Sequence, residues 1–473
     1  MRKLTVIFWS SLVALAVGAT PVLAQKRSVA EEILEILRAE NKISDEKYQE
    51  LMSRAKAENE AREAGVEAYR RDPVKSVQTA IDWLNRFSFS GDMRTRYEGF
   101  WQEHGPNANA RSRARIRLRF AVGVKVNDEV SGGLRIVSGD PNDPISSNQT
   151  LGDVFTKKPI NIDQAFITLT PKASLKAIGL GLADLPWNPI SITMGKFANP
   201  AFRPRAVMTS EMIFDDDLTP EGLSETFTFY DSSEGLLRRL QLNAMQWYVR
   251  EASRSDDSYM LGGQVVGTFQ LLPSTRLTLA MADYYFTKSD GIAQARNTNS
   301  SLKVTNSVVL VDGTIVKGGA PLTPGTGGKA FKKFLGDFNL INGSVQLDYD
   351  TGYARWPLTL LGDVVWNSRA ETSKDWAVWA GIGLGATRNP GDWAFSAVWS
   401  KVQTDSVLSV FSYSDFGRDG GTNLQGPFLK VDYLLFPRLT ISAKNHFVSF
   451  IDRPKGQSNS MVHRFQLDAV LAF

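Results

Sequence analysis

Charged and apolar residues alternate at every second position in the stretch RSRARIRLRF. Its arginines are Arg111, Arg113, Arg115, Arg117 and Arg119, and Ala114, Ile116, Leu118 and Phe120 lie between them. Because successive side chains of a β-strand point to opposite faces, this strand has one cationic face and one apolar face. Such a strand suits the wall of a transmembrane barrel, where one face meets lipid and the other meets a water-filled lumen.

The segment immediately before this stretch repeats the design. Phe87, Phe89 and Met93 occupy one parity, whereas the other parity carries Asp92, Arg94, Arg96 and Glu98. Two neighbouring strands with the same charged face would line a lumen together. We therefore predict seven pore-lining arginines: Arg94, Arg96, Arg111, Arg113, Arg115, Arg117 and Arg119.

Short segments of alternating polarity recur from Phe87 to the end of the chain. They predict an all-β transmembrane protein, an antiparallel barrel of about sixteen strands that spans residues 83–473. Tight turns such as Asn389-Pro390-Gly391-Asp392 alternate with long polar stretches, the arrangement of short periplasmic turns and long external loops. Because Thr305 to Lys317 can form a further hairpin around Asp312-Gly313, the strand count ranges from about fourteen to eighteen. The predicted centres lie near Arg94, Arg117, Leu134, Ile167, Ile192, Phe227, Leu242, Val265, Leu279, Val345, Leu360, Ile382, Ala397, Val431, Ile441 and Leu467.

Both ends of the chain are typical of export to an outer membrane. Met1, Arg2 and Lys3 precede an apolar stretch, and Val22-Leu23-Ala24 offers a cleavage site, so residues 1–24 are predicted to be a secretory signal peptide. The other end alternates apolar and polar positions and finishes at Phe473. This ending resembles the carboxy-terminal signal of bacterial outer-membrane proteins, and the resemblance implies recognition by the barrel-assembly machinery.

The segment 25–72 differs from the rest of the mature chain. It is rich in Glu, Ala, Lys and Arg, and Val29, Ile33, Ile36 and Leu37 recur at helical spacing. Ser44 is the predicted N-cap of a second helix. We expect this segment to be helical and periplasmic. It is either a coiled-coil stalk that joins protomers or a short hairpin that leans on the barrel.

Composition excludes several other classes. Beyond the signal peptide no apolar run approaches the roughly 20 residues that a membrane-spanning helix requires. The chain has no cysteine, which removes thiol catalysis and thiolate metal sites. A formal net charge of +4 does not indicate nucleic-acid binding. We predict neither a cofactor nor a resident metal.

Candidate catalytic and metal-binding residues lack a recognisable motif. A rim enzyme would need a histidine with a Ser or Asp partner, and the sequence offers His104, His446 and His463 without such a context. Asp140, Asn142 and Asp143 alternate as calcium ligands can, but turns of Asn, Asp and Pro are far commoner. We therefore expect a protein that is not an enzyme.

Five motifs, taken in order, resemble the putative porin family of Gram-negative outer membranes. They are GDMRTRYEG, RSRARIRLRF, GDPNDPISSNQTLGDVF, MGKFANPAF and IFDDDLTPEGL. The resemblance covers the first third of the barrel and implies a β-barrel porin without specifying its solute. The run of arginines is also similar to that of phosphate-selective porins, although the surrounding loop motifs fit that family less well.

The polar stretch Ala198 to Pro220 is the predicted constriction loop. It is the third external loop and carries Glu211, Asp215, Asp216 and Asp217, whose carboxylates would face the arginines and set up a transverse field. Two alternatives stay open: a surface acidic turn, with Arg203 and Arg205 pairing locally, and a divalent-cation site.

We therefore expect an outer-membrane porin that passes small anionic or neutral solutes by diffusion. Guanidinium groups in a confined lumen lower the entry barrier for anions. Outer-membrane lipid and lipopolysaccharide would surround the barrel, and a homo-trimer is a family-level expectation. The alternatives are a structural or assembly barrel that engages a periplasmic partner through its N-terminal helices, and a phosphate- or oxyanion-selective porin.

Overall fold

The computed structural model describes residues 29–40, 42–71, 83–103, 110–179, 181–253, 256–325, 329–454, 456–458 and 460–473. The chain divides into two compact units, Met1–Asn85 and Arg86–Phe473. The predicted signal peptide and His104 lie outside the described residues.

The described part of the first unit includes two helices, α1 (Val29–Ala39) and α2 (Asp45–Arg71). Ser44 caps α2 as predicted, because its Oγ accepts a hydrogen bond from the Lys47 backbone N–H at 3.3 Å. The two helices are in contact, and the Arg38 guanidinium of α1 lies over the Tyr48 ring of α2, 4.7 Å from the ring centroid. The coiled-coil stalk stays a prediction.

The second unit is a closed antiparallel β-barrel. Its sheet has 17 strands, of which the two-residue β4 (Gln149–Thr150) is an addition to sixteen wall strands. Closure is direct, since β1 pairs with both β2 and the last strand, β20. The wall strands are β1 (Phe87–Gln102), β2 (Arg111–Lys125), β3 (Val130–Ser138), β5 (Ile160–Leu169), β6 (Ile190–Lys196), β7 (Glu221–Asp231), β8 (Leu237–Arg250), β9 (Ser258–Leu272), β10 (Thr275–Phe286), β14 (Phe338–Tyr349), β15 (Leu358–Asn367), β16 (Trp376–Gly385), β17 (Trp393–Val402), β18 (Leu424–Phe436), β19 (Leu439–Phe450) and β20 (Val462–Ala472).

Every predicted strand centre falls inside one of these wall strands, so the predicted barrel and its count of about sixteen strands are confirmed. The segment that left the count open does form a hairpin, β11 (Val308–Leu310) and β12 (Ile315–Val316), which turns at Gly313 with a φ of 83°. It pairs with β13 (Phe331–Phe334) in a separate three-stranded sheet. The hairpin therefore belongs to a loop and not to the wall.

Connections at the two ends of the barrel differ in length. At the end where β1 begins and β20 ends, the turns between wall strands are mostly short. The exception is the connection between β5 and β6, which contains α3 (Lys172–Ala177) and a 3₁₀ turn (Gly181–Asp184). At the opposite end the loops are long, and the one between β10 and β14 contains α4 (Asp290–Ala295). None of the described helices is long and apolar enough to cross a membrane.

The two faces of the wall have opposite character. Apolar side chains such as Phe89, Met93 and Tyr97 are exposed on the outer face of β1, while Arg96 and Glu98, which point to the inner face, are buried. Long loops pack against the inner face over much of the barrel and form an apolar core with it, in which Phe214 meets Trp247 and Tyr284 edge to face.

The C-terminal residue takes part in closing the wall. The Gly91 N–H donates to the Phe473 carbonyl and the Phe473 N–H donates back, both at 3.0 Å. The Phe473 ring stacks on Phe120, with 6.4 Å between ring centroids. A Cβ at position 91 would lie 2.7 Å from this ring, so glycine leaves the space that the ring fills.

Candidate functional site

Inward-facing charges of three adjacent strands form one surface, which we call the arginine wall. The register places Arg94 opposite Arg117 and Arg96 opposite Arg115. It also places Glu98 opposite both Arg113 and Gln466. The surface comprises Asp92, Arg94, Arg96 and Glu98 of β1, Arg113, Arg115, Arg117 and Arg119 of β2, and Arg464, Gln466 and Asp468 of β20.

Carboxylates neutralise most of these arginines at close range. Glu98 is fully buried and accepts from Arg464 at 2.6 Å and from Arg113. Asp92 accepts from Arg117 at 2.6 Å and from Arg119 at 2.7 Å. Charge-assisted pairs of this kind hold three neighbouring strands together where the barrel closes.

Two further carboxylates complete the wall, and sequence analysis did not single them out. Asp468 accepts from Arg96 at 2.7 Å. Asp415, in the loop between β17 and β18, lies 3.0 Å from Arg96 and 2.5 Å from Arg464. The alternation of Arg464, Gln466 and Asp468 along β20 is a signal that could have identified that strand. The contact with Asp415 depends on the folded loop and has no local signal.

The predicted constriction loop between β6 and β7, which we call the inward loop, crosses to the far side of the barrel. Its backbone donates to wall side chains, from Phe202 N–H to Gln264 at 2.7 Å and from Arg205 N–H to Gln346 at 2.8 Å. Ser210 Oγ donates to Asp363 at 2.5 Å. The loop is therefore anchored on β9, β14 and β15.

The loop returns to the arginine wall at Asp217. Its carboxylate lies 3.4 Å from Arg119 and 4.0 Å from Arg117, and it accepts from the Ser147 hydroxyl at 2.8 Å. Burial acts to raise the pKa of Asp217, but the two guanidinium groups outweigh it and lower the pKa to about 2. Asp217 is therefore ionised at neutral pH.

The other three predicted acidic residues do not reach the arginine wall. Asp216 pairs with Arg203 of its own loop at 2.7 Å. Glu211 and Asp215 are turned into the loop and accept from the backbone N–H groups of Asp216 at 3.0 Å and of Ser414 at 2.8 Å, respectively. Burial raises the pKa of Glu211 and Asp215 well above the ordinary range.

The two histidines that the structure describes, His446 and His463, have no catalytic partner set among the described residues. His446 is buried against Tyr413, whose hydroxyl lies 2.9 Å from its Nε2, and Lys444 donates to the same hydroxyl at 3.0 Å. His463 packs edge to face on Phe447. Asp140 accepts from the backbone N–H of Asn142 in a local turn. No group of three or more potential metal ligands is assembled within the described ranges.

A closed barrel of sixteen antiparallel strands with an apolar outer face and a charged inner face defines a transmembrane β-barrel pore protein. The family model described as "Putative porin" matches residues 102–319 and 339–469, well over half of the chain. The chain belongs to this porin family. The resemblance inferred from its motifs is confirmed, and the family places the protein among outer-membrane channels, whose fold is not enzymatic.

Solved porins resemble the chain in structure. Pseudomonas putida OprB at high pH aligns with a TM-score of 0.51 and 12% identity, covering 84% of this chain and 96% of that one. Salmonella typhi OmpF gives 0.45 and 9%, covering 82% and 97%. The Acinetobacter baumannii outer membrane channel DcaP gives 0.41 and 10%, covering 82% and 97%. No curated protein matches the chain in sequence.

Proposed function

We propose that this porin is a passive diffusion channel for small hydrophilic solutes and that it prefers anions. The carrying observation is the charge balance at the arginine wall, where seven guanidinium groups meet five carboxylates. The arginines are Arg94, Arg96, Arg113, Arg115, Arg117, Arg119 and Arg464, and the carboxylates are Asp92, Glu98, Asp217, Asp415 and Asp468. An excess of fixed positive charge in a confined lumen lowers the entry barrier for anions.

The predicted pore-lining and constriction roles take a narrower form in this proposal. The conducting path is lined by Arg94, Arg96, Arg113, Arg115, Arg117 and Arg119. Arg111 is exposed at the outer end of β2 and receives anions first. Asp217 provides the opposing charge from the inward loop, while Glu211, Asp215 and Asp216 shape that loop. Of the four acidic residues predicted in the inward loop, Asp217 alone therefore contributes to the transverse field.

The setting of the channel is part of the same proposal. The N-terminal unit lies in the periplasm after removal of residues 1–24, and the strand that ends at Phe473 engages the barrel-assembly machinery. Lipid and lipopolysaccharide cover the exposed apolar face, and three copies form a trimer. A second candidate function is assembly through a periplasmic partner, which the exposed Ile33 and Ile36 of α1 favour.

The test is the zero-current potential of the purified barrel in a planar bilayer under a KCl gradient. Wild type is compared with Arg113→Ser/Arg115→Ser/Arg117→Ser, and we expect chloride preference to fall in the variant. The control Lys125→Ser/Lys176→Ser/Lys288→Ser removes the same charge from exposed positions. If the arginine variant conducts with unchanged selectivity, these arginines do not set the ion preference. A folded barrel that does not conduct would overturn the channel proposal.

A further inference from the structure

Arg94 and Arg115 differ from the other arginines of the wall. Arg96, Arg113, Arg117, Arg119 and Arg464 each have a carboxylate oxygen within 2.7 Å. The nearest carboxylate oxygen is 3.9 Å from Arg94, on Asp468, and 3.8 Å from Arg115, on Glu98. Both carboxylates have closer arginine partners. Two guanidinium groups are therefore only weakly neutralised.

These two groups are also under-bonded, although they are buried. Each side chain is only 11% exposed, and the Nε of each is buried without a hydrogen-bond partner among the described residues. A guanidinium group has five N–H donors and keeps its charge at any physiological pH. Leaving a buried charged donor unpaired is costly, so such a group indicates a partner that binds from the lumen.

The two arginines belong to one location. Arg94 and Arg96 follow one another on the inner face of β1, and Arg96 lies opposite Arg115, so Arg94 and Arg115 are diagonal neighbours. The segment around β4 adjoins both of them. Thr150 pairs with Arg115 in register, and Asn148 accepts from Arg94 at 2.5 Å. Two guanidinium groups and a polar loop segment are thus neighbours on the inner face of the barrel.

We propose that Arg94 and Arg115 form a binding station for a compact oxyanion of the phosphate type. A tetrahedral oxyanion offers several acceptor oxygens and can take paired N–H groups from two guanidinium forks at once. A charge of about −2 would match the two excess positive charges of the wall. This inference rests on the proposed channel function and specifies its solute class. The anion is either free inorganic phosphate or the phosphate group of a small organic solute.

The experiment measures how inorganic phosphate reduces chloride current through the purified full-length protein in a planar bilayer. We expect the phosphate concentration for half block to rise about tenfold in Arg94→Gln/Arg115→Gln. The control Lys125→Gln/Lys288→Gln removes two charges from exposed positions outside the arginine wall, and its half-block concentration should stay within about twofold of wild type. Heat-dependent mobility on a denaturing gel establishes that each variant is folded.

The outcomes separate this inference from the proposed function. Equal weakening of phosphate block in both double variants would show a general charge effect and overturn the station. Unchanged block in Arg94→Gln/Arg115→Gln would do the same, even while chloride preference persists and the channel proposal stands. Repeating the titration with glycerol 3-phosphate identifies the source, since tighter block than by inorganic phosphate assigns the station to phosphorylated organic solutes. Arg94→Lys/Arg115→Lys keeps the charge but loses the fork and should only partly restore the block.

Discussion

At the scale of single residues, Asp217 has a different environment from its acidic neighbours. It is the acidic residue of the inward loop that meets Arg117 and Arg119, whereas Asp216 is paired with Arg203. Because its pKa is lowered to about 2, it carries a full negative charge throughout the physiological range. Its charge subtracts from the positive potential of the wall.

Replacing this carboxylate should therefore strengthen anion selectivity. In Asp217→Asn the zero-current potential under a KCl gradient should shift further towards that of a chloride-selective pore, because one opposing charge is lost while Arg117 and Arg119 keep Asp92 as a partner. Asp216→Asn is the matched control. It removes the same charge from a carboxylate that pairs with Arg203 and does not reach the arginine wall. An equal shift in both variants would show that Asp217 has no special position in the conducting path.

At the scale of elements, sequence periodicity predicted the strands well because one face of each strand meets lipid and the other face meets the lumen. The two-residue alternation around Arg117 or Leu467 is imposed locally by that environment, and all sixteen centres fall within wall strands. Loops have no such constraint. The local sequence does not reveal that Asp215 accepts from the Ser414 backbone N–H whereas Asp217 lies beside Arg119. Those contacts depend on where another loop folds.

A charged residue on the outer face of the barrel departs from the alternation of apolar outward and polar inward positions. Asp283 of β10 is exposed on the outer face between Met281 and Tyr285, and no described residue forms a hydrogen bond with its carboxylate. In register it adjoins Gly263 of β9, and Ala244 and Glu225 continue the same row across β8 and β7. A carboxylate on the outer face is unfavourable in lipid, and its free-energy cost depends on its depth in the membrane.

Asp283→Leu should therefore stabilise the barrel by about 1 kcal/mol in phospholipid, measured by reversible unfolding in urea. Asp363→Leu, on the inner face of β15, should have the opposite effect on stability. That carboxylate is buried and accepts from Ser210, Asn342 and Ser344, so its loss leaves donors unpaired and should destabilise the barrel. A destabilised Asp283→Leu variant would mean that the outward carboxylate makes a favourable contact in the membrane.

At the scale of the whole molecule, closure of the barrel is achieved entirely within the second unit. β1 pairs with β20 from Asp92 to Gln102, and buried Glu98 of β1 pairs with Arg464 of β20 and with Arg113 of β2. The arginine wall and the inward loop also belong to this unit. Every group assigned to conduction thus lies between Arg86 and Phe473.

Deleting residues 28–70 should consequently leave conduction intact. The truncated protein should show the single-channel conductance and the zero-current potential of the full chain in a planar bilayer, since no part of the arginine wall is removed. Reduced conductance would assign the helices to the pore. The helices present Ile33 and Ile36 on an exposed face, so the deletion also tests the assembly role. If cross-linked complexes disappear from intact cells while conductance is unchanged, the N-terminal unit serves attachment to a periplasmic partner and the barrel alone serves diffusion.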